Sequence, residues 1–109
     1  MVSVVITSSP TSYKQAPTKI GLQIGDQMSV ELGLKALIVK SANDVAVMLG
    51  EKVAGGSLPR FIEMMNAATK KLGMTRTRFV NPNGLPDDRQ VTSARDMGLL
   101  ARAIILEYP

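Results

Sequence analysis

The sequence contains no cysteine, no histidine and no tryptophan, and it has only two tyrosines and two phenylalanines. Without cysteine there is no disulfide, and without cysteine and histidine the common zinc sites and histidine-activated nucleophiles are excluded. No segment approaches the roughly 20 apolar residues that span a bilayer. The apolar residues 2–6 are too few for a signal peptide and lack its basic flank. We therefore expect no metal site, no cofactor and no membrane span.

The composition that remains is typical of one small globular domain. The chain has 109 residues, of which 45% are hydrophobic and 20% are charged. The net charge of +4 raises the question of an anionic partner. However, the cationic residues are scattered, and the adjacent pair Lys70 and Lys71 lies where the last turn of a helix favours positive charge. A solvated helix face explains this pattern, so we expect no nucleic-acid binding.

The hydrophobic pattern predicts a mainly α fold with a few short strands. Residues 2–7 are rich in valine and predict a strand, whereas residues 8–19 are rich in proline and hydroxyl residues and predict a loop. Good capping residues, glycines and helical spacing predict four helices. They are expected over residues 30–39 after Ser29, over 45–54 before Gly55, after Ser57 as far as 72, and after Ser93 as far as 104 or beyond.

Each predicted helix also has a predicted apolar face. The first is apolar over most of its circumference, so we expect a buried central helix. The third and fourth have stripes at helical spacing that predict core faces. These stripes are Phe61, Met64, Met65, Ala68 and Leu72 in the third helix, and Met97, Leu100, Ala101 and Ile104 in the fourth. Residues 77–80 predict a further short strand, and residues 81–88 are dense in turn formers, as in loops that support a site.

Polar residues interrupt the apolar sequence between the first two predicted helices, in Ser41-Ala42-Asn43-Asp44. Buried polar groups cost free energy unless they are hydrogen-bonded, so this break needs a reason. One interpretation is structural, with Asn43 and Asp44 capping a helix that begins at Val45. The other is a functional site. A Ser-x-Asn triplet alone does not decide between them.

Several motifs in order give more information than the triplet alone. These are the S-x-N triplet followed by Asp, a helix ending in Gly-Gly, "LGM" with "T-R-F-V-N-P-N-G-L", and "T-S-A-R-D-M". From about Pro17 onward the chain resembles the low-molecular-mass penicillin-binding proteins that act as serine-type D-alanyl-D-alanine carboxypeptidases. The resemblance implies that residues 1–109 are one partial catalytic domain. That part would be the helical subdomain of the penicillin-binding and β-lactamase-like α/β fold.

The resemblance also implies roles for the polar break. In the family, the serine of S-x-N relays protons and the asparagine orients the substrate, so Ser41 and Asn43 become the candidate catalytic residues. The family's nucleophile and its activating lysine lie in an S-x-x-K motif. No serine in this sequence is followed three residues later by lysine, and neither K-T-G nor K-S-G is present. Since a serine hydroxyl is a weak nucleophile without its base, we expect this chain alone to be inactive.

The resemblance further implies a substrate, a location and partners. The whole protein would remove the terminal D-Ala of peptidoglycan stem peptides through an acyl-enzyme, would be acylated by β-lactams, and would work in the periplasm or cell envelope. Class A β-lactamases are disfavoured, because the corresponding loop offers Asp87 and Asp88 but no glutamate. Members of the family often have histidine where this sequence has Asn81 or Asn83, which puts any role of that histidine in doubt.

Two further expectations follow. The alternative function is a non-catalytic helical binding module for cell-wall peptide or protein. With either function, the helix over residues 30–39 exposes apolar surface to water if the part of the protein that packs against it is missing. We therefore expect self-association through that surface.

Overall fold

A computed structural model describes residues 4–108 of the chain. Contacts divide the chain into two compact units, residues 1–61 and residues 62–109. The mainly α fold with short strands is confirmed. The elements, in chain order, are β1 Val5–Thr7, α1 Pro10–Tyr13, β2 Gln27–Ser29, α2 Val30–Lys40, α3 Asn43–Val53, α4 Leu58–Lys71 and α5 Ala94–Glu107.

The first unit contains a two-stranded antiparallel sheet. β1 pairs with β2 so that Val5 lies opposite Ser29 and Ile6 lies opposite Met28. The strand predicted over residues 2–7 is confirmed from Val5 to Thr7, and residues 2–3 lie outside the described residues. β2 was not predicted, because its sequence Gln-Met-Ser lacks the β-branched residues that favour strands.

The predicted loop over residues 8–19 contains the short helix α1, so that prediction is wrong over four residues. The helix is specified by its first turn. The backbone N–H of Ser12 donates to Ser9 Oγ at 3.1 Å, and the N–H of Ser9 donates to Ser12 Oγ at 2.8 Å. This reciprocal capping, with Pro10 at the first helical position, makes a serine-rich and proline-containing segment helical.

The centre of the first unit is α3, not α2. Ile6, Ala42, Val45 and Met48 form its fully buried core. The predicted buried position of α2 is wrong: Gly33 is its one buried residue, and Ile38 and Val39 are each 79% exposed. The contact with the sheet occurs at that glycine, where an added Cβ would lie 2.8 Å from Ile6 Cδ1. Val30, Ala36 and Leu37 pack against the core from one side of α2, whereas its other apolar side chains are exposed.

Three of the four predicted helix starts are confirmed, whereas α3 begins two residues before its predicted start and the predicted core faces are only partly correct. Ser29, Ser57 and Ser93 each accept a backbone N–H from the first turn of the following helix. In α4, Phe61 and Met65 are half-buried, as is Leu72 directly after the helix, but Met64 and Ala68 are exposed. In α5 the less exposed face is shifted by one position from the prediction. It consists of Asp96, Leu99, Leu100 and Ala103, while Met97, Ala101 and Ile104 are exposed.

The strand predicted over residues 77–80 is wrong, because side chains occupy its backbone groups. A single bridge joins Arg78 to Val91. The next two N–H groups do not continue the ladder: Phe79 N–H donates to Asn66 Oδ1 at 2.8 Å, and Val80 N–H donates to Gln90 Oε1 at 2.9 Å. Neither the length nor the hydropathy of any helix within residues 4–108 is sufficient to cross a membrane.

Candidate functional site at the junction of α2 and α3

The candidate site lies where α2 ends and α3 begins, within the first unit. Ser41 follows the last residue of α2 and adopts a left-handed conformation, with φ 52° and ψ 45°. For a residue other than glycine this conformation costs roughly 1–2 kcal/mol. Strain of this kind is concentrated at functional sites, where the surrounding structure maintains it. The conformation occurs in the two-residue break, Ser41 and Ala42, that separates α2 from α3.

The hydroxyl of Ser41 is available for an external partner. Ser41 is exposed, and its side chain forms no hydrogen bond among residues 4–108. A serine hydroxyl can donate one hydrogen bond and accept others, which is what a proton relay needs. The proton-relay role of Ser41 stays a prediction.

Asn43 has a different environment, because one end of its side chain is already bound. The residue is only 5% exposed, and its Nδ2 donates to the carbonyl of Pro17 at 2.9 Å and to that of Ala16 at 3.4 Å. Its backbone N–H donates to the carbonyl of Thr18 at 2.9 Å. Its Oδ1 accepts no hydrogen bond from the described residues, and none of their side-chain polar atoms is buried without a partner. The acceptor oxygen of Asn43 therefore keeps its hydrogen-bonding capacity, two residues along the chain from Ser41.

Asp44 fixes the same loop from the second position of α3. Its carboxylate is 1% exposed and accepts the backbone N–H groups of Ile20 at 3.1 Å and Gly21 at 2.9 Å. It also accepts the N–H of Val45 at 2.9 Å. Three N–H donors satisfy a buried carboxylate, which would otherwise be very unfavourable. Asp44 thus joins α3 to a loop on the other side of the junction.

The capping interpretation of the polar break is correct only in part. α3 begins at Asn43, two residues earlier than predicted, and its N-cap Ala42 makes no side-chain hydrogen bond. Asn43 therefore does not cap the helix, whereas Asp44 does satisfy one N–H of the first turn. The structure brings Ser41 and Asn43 together at one junction. The sequence reasoning missed the partner loop, residues 16–21, although buried polar residues always signal that partners must exist elsewhere.

The loop over residues 81–90, in the second unit, is held by side-chain amides. Asn81 Oδ1 accepts the N–H of Gly84 at 2.8 Å, and Asn81 Nδ2 donates to the carbonyl of Leu85 at 2.9 Å. Asp87 pairs with Arg89 at 2.9 Å, and the hydrogen bonds from Arg89 lower the pKa of Asp87 to about 2. Among residues 4–108 no group of three acidic side chains is placed to hold a metal ion. This loop therefore offers turn structure and an ion pair.

Comparison with known proteins identifies the family. The family of D-alanyl-D-alanine carboxypeptidases matches residues 1–109. The D-alanyl-D-alanine carboxypeptidase DacC of Escherichia coli is 44% identical over 88 residues, which are 81% of this chain and 22% of that protein. DacF of Bacillus subtilis is 32% identical over 100 residues, which are 92% of this chain and 25% of that protein.

A solved structure shows the same fold. The crystal structure of DacD from Francisella tularensis, a D-alanyl-D-alanine carboxypeptidase, superimposes with a TM-score of 0.91 at 34% identity. The match covers 98% of this chain and 26% of that one. The helical part of a penicillin-binding-protein fold is thus the class that the structure defines. The chain belongs to the D-alanyl-D-alanine carboxypeptidase family. It spans about a quarter of the length of these relatives.

Proposed function

We propose that this chain forms one wall of the active site of a serine-type D-alanyl-D-alanine carboxypeptidase, with Ser41 as the proton relay and Asn43 as the substrate-orienting residue. The observation that carries the proposal is the α2–α3 junction. There an unpaired, exposed hydroxyl on a strained residue lies beside an asparagine whose Nδ2 is fixed to Pro17 and Ala16. The substrate would be a peptidoglycan stem peptide ending in D-Ala-D-Ala, and β-lactams would acylate the same whole enzyme, in the periplasm or cell envelope.

The hydrogen bonds at the junction support the task proposed for each residue. Ser41 can accept a proton and pass one on, because its hydroxyl is not engaged elsewhere. Asn43 can accept a hydrogen bond through Oδ1 from an N–H or an ammonium group, because its own amide protons are directed at the carbonyls of residues 16 and 17. Acyl transfer also requires a serine activated by a neighbouring base. This sequence has no S-x-x-K motif, so such a pair must come from outside these residues.

The test is a graft into a family-length enzyme. The region of E. coli DacC that is similar to this chain is replaced by this sequence, and D-Ala release and penicillin acylation are measured for the graft and its variants. Ser41→Ala should reduce both rates by on the order of 10²-fold or more, as for loss of a proton-transfer group. Thr11→Ala is the matched control, since it removes an exposed hydroxyl from α1, outside the α2–α3 junction.

The expected results for the isolated chain differ from those for the graft. Incubation with penicillin should give no covalent adduct by intact-mass measurement, because no serine has the activating lysine. A stoichiometric adduct would contradict this account. Unchanged rates in the Ser41→Ala graft would remove the proton-relay role.

The family match favours this function over a non-catalytic binding module. The module remains distinguishable by experiment. Saturable binding of an N-acyl-D-Ala-D-Ala peptide to the isolated chain, abolished by Asn43→Ala, would indicate that the chain binds its ligand without any catalytic partner.

A further inference from the structure

The second unit contains a group of positive charges that the proposed function does not use. Lys70, Lys71, Arg76 and Arg78 follow one another within nine positions, and no acidic residue occurs between Glu63 and Asp87. None of the four forms an ion pair among residues 4–108. Within the described part of the chain, the one carboxylate that contacts this segment is that of Asp96, which accepts the Arg76 N–H at 2.8 Å and the Thr77 hydroxyl at 2.7 Å and pairs with none of the four cationic side chains.

Two of these cations line one cavity. The cavity has a volume of about 470 Å³, and Lys70 and Arg78 are among its lining residues, together with Thr75 and no acidic residue. Lys70 lies in the last turn of α4, where the helix dipole favours a cation. That explanation does not extend to Arg78, which lies beyond the helix. Two like charges at one cavity repel each other, and an anion between them would remove that repulsion.

The walls of this cavity are fixed by hydrogen bonds that need no ligand. Asn66 Nδ2 donates to the carbonyl of Phe79 at 2.8 Å, and Asn66 Oδ1 accepts the backbone N–H of Phe79 at 2.8 Å. These two bonds fix the backbone of Phe79 to α4. Thr69 is buried, and its hydroxyl donates to the carbonyl of Asn66 at 2.6 Å. On the far side, Arg78 and Val91 exchange backbone hydrogen bonds at 2.9 and 3.1 Å. The backbone that carries the charged side chains is therefore fixed before binding, while the Lys70 and Arg78 side chains themselves are exposed.

One neutral donor completes the group. The hydroxyl of Thr75, a further lining residue, is exposed and makes no hydrogen bond among the described residues. Arginine presents a planar set of donors that matches phosphate oxygens, and lysine acts as a compact point charge. Cations of both kinds with a free hydroxyl suit an oxyanion.

We propose that this cavity binds a phosphate group, with Lys70 and Arg78 as the cationic residues and Thr75 as a hydroxyl donor. The phosphate group could belong to a free small molecule or to an anionic lipid headgroup, and the chemistry at the cavity is the same. The proposal does not depend on the role of Ser41 and Asn43.

The first test is a titration of the ¹⁵N-labelled chain with inorganic phosphate at constant ionic strength, followed by NMR. Resonances of residues 66–78 should shift saturably. Lys70→Gln and Arg78→Gln should each weaken the affinity, and the double variant should lower it at least tenfold. Arg102→Gln removes the same charge from an exposed position in α5 and should leave the affinity unchanged. Unshifted spectra elsewhere would show that each variant is folded.

Vesicles distinguish the two sources of the phosphate group. Sedimentation with vesicles containing phosphatidylglycerol, compared with phosphatidylcholine vesicles, measures headgroup binding. Retention that the double variant loses assigns the headgroup as a source, and phosphate binding without vesicle binding assigns a free phosphate compound; both support the proposal. An equal loss in Arg102→Gln would show binding by general surface charge only and would overturn it. Absence of both phosphate and vesicle binding would also overturn it.

Discussion

The carboxylate of Asp44 accepts the backbone N–H of Gly21 at 2.9 Å, across 23 residues of sequence. With the neighbouring bond to Ile20, this contact fixes the loop of residues 16–21 against the start of α3. The same loop supplies the carbonyls that hold the Asn43 amide. The orientation of a candidate catalytic side chain thus depends on a buried aspartate that would not itself contact a substrate.

Replacing Asp44 should loosen this loop and destabilise the first unit. Asp44→Ala leaves three N–H groups without their acceptor, and we expect a loss of about 3 kcal/mol in the free energy of unfolding, since an unpaired buried group costs roughly 1–3 kcal/mol. Asp44→Asn keeps one acceptor oxygen and should cost less. Urea unfolding measures the loss, and amide hydrogen exchange at Ile20 and Gly21 should accelerate in both variants.

A surface aspartate provides the control for this experiment. Asp88 is exposed, so Asp88→Ala should change the stability by no more than about 0.5 kcal/mol. If Asp44→Ala were as mild as Asp88→Ala, or if exchange at Ile20 and Gly21 did not change, the loop would be held by other contacts.

Asp96 should make the stability of the second unit depend on pH. Its burial raises the pKa, but the Thr77 hydroxyl, the Arg76 N–H, the Ser93 hydroxyl and the Arg95 charge together hold the pKa below its ordinary value. A folded-state pKa below the unfolded one means that the ionised form favours the fold. The stabilisation is therefore fully present above the unfolded pKa of about 3.9 and is lost as the pH falls through the folded pKa.

Thr77→Val tests this assignment directly. It removes the hydroxyl that donates to Asp96 at 2.7 Å, so the pKa of Asp96 should rise and the acid loss of stability should move to higher pH. ¹³C NMR of the Asp96 carboxyl measures the pKa. Thr92→Val is the matched control, because the Thr92 hydroxyl contacts Thr77 and not the carboxylate. Equal shifts in both variants would contradict the direct bond.

Three of the helix starts could be predicted from sequence because they are local: Ser29, Ser57 and Ser93 each bind an N–H within three residues. The family motifs also indicated the polar junction and its two candidate residues. Burial could not be predicted in the same way. The spacing of apolar residues in α2 shows which side of the helix each one occupies, but it does not show whether another element packs against that side. Ile38 and Val39 are exposed because no other described element covers them.

Long-range side-chain bonds were equally inaccessible from the sequence. In place of the expected strand over residues 77–80, the N–H of Phe79 donates to Asn66 Oδ1, 13 residues away along the chain. The N–H of Val80 donates to Gln90 Oε1, 10 residues away. The loop that holds Asn43 is 26 residues away from it. Such pairings depend on the tertiary fold, which composition and periodicity do not specify.

The exposed side of α2 should cause self-association of the isolated chain. Leu32 is 55% exposed, and Ile38 and Val39 are 79% exposed, so apolar surface faces water along the helix. Sedimentation velocity should show dimers or larger species as concentration rises, and Ile38→Lys should shift the distribution toward monomer. Lys35→Gln changes a charge on the same helix and should not disperse the species. A monomer at all concentrations would contradict the expectation.

Replacing Ser41 by glycine should reduce activity without reducing stability, because the backbone at Ser41 is strained. Glycine adopts the left-handed conformation without the roughly 1–2 kcal/mol cost of other residues. However, glycine loses more backbone entropy on folding, which lowers the free energy of unfolding by roughly 0.5–1 kcal/mol. Ser41→Gly should therefore leave the chain as stable as before or stabilise it by up to about 1 kcal/mol in urea unfolding. In the DacC graft the same change removes the proposed relay hydroxyl, so D-Ala release should fall by on the order of 10²-fold.

Thr18→Gly is the control, because Thr18 also has a positive φ of 70° and its carbonyl, which accepts the N–H of Asn43, is retained. It should change stability in the same direction without a comparable loss of turnover. A Ser41→Gly graft that kept its full rate would show that the serine is strained for a reason other than catalysis. A marked loss of stability instead would mean that the Ser41 side chain contributes to the fold at this junction.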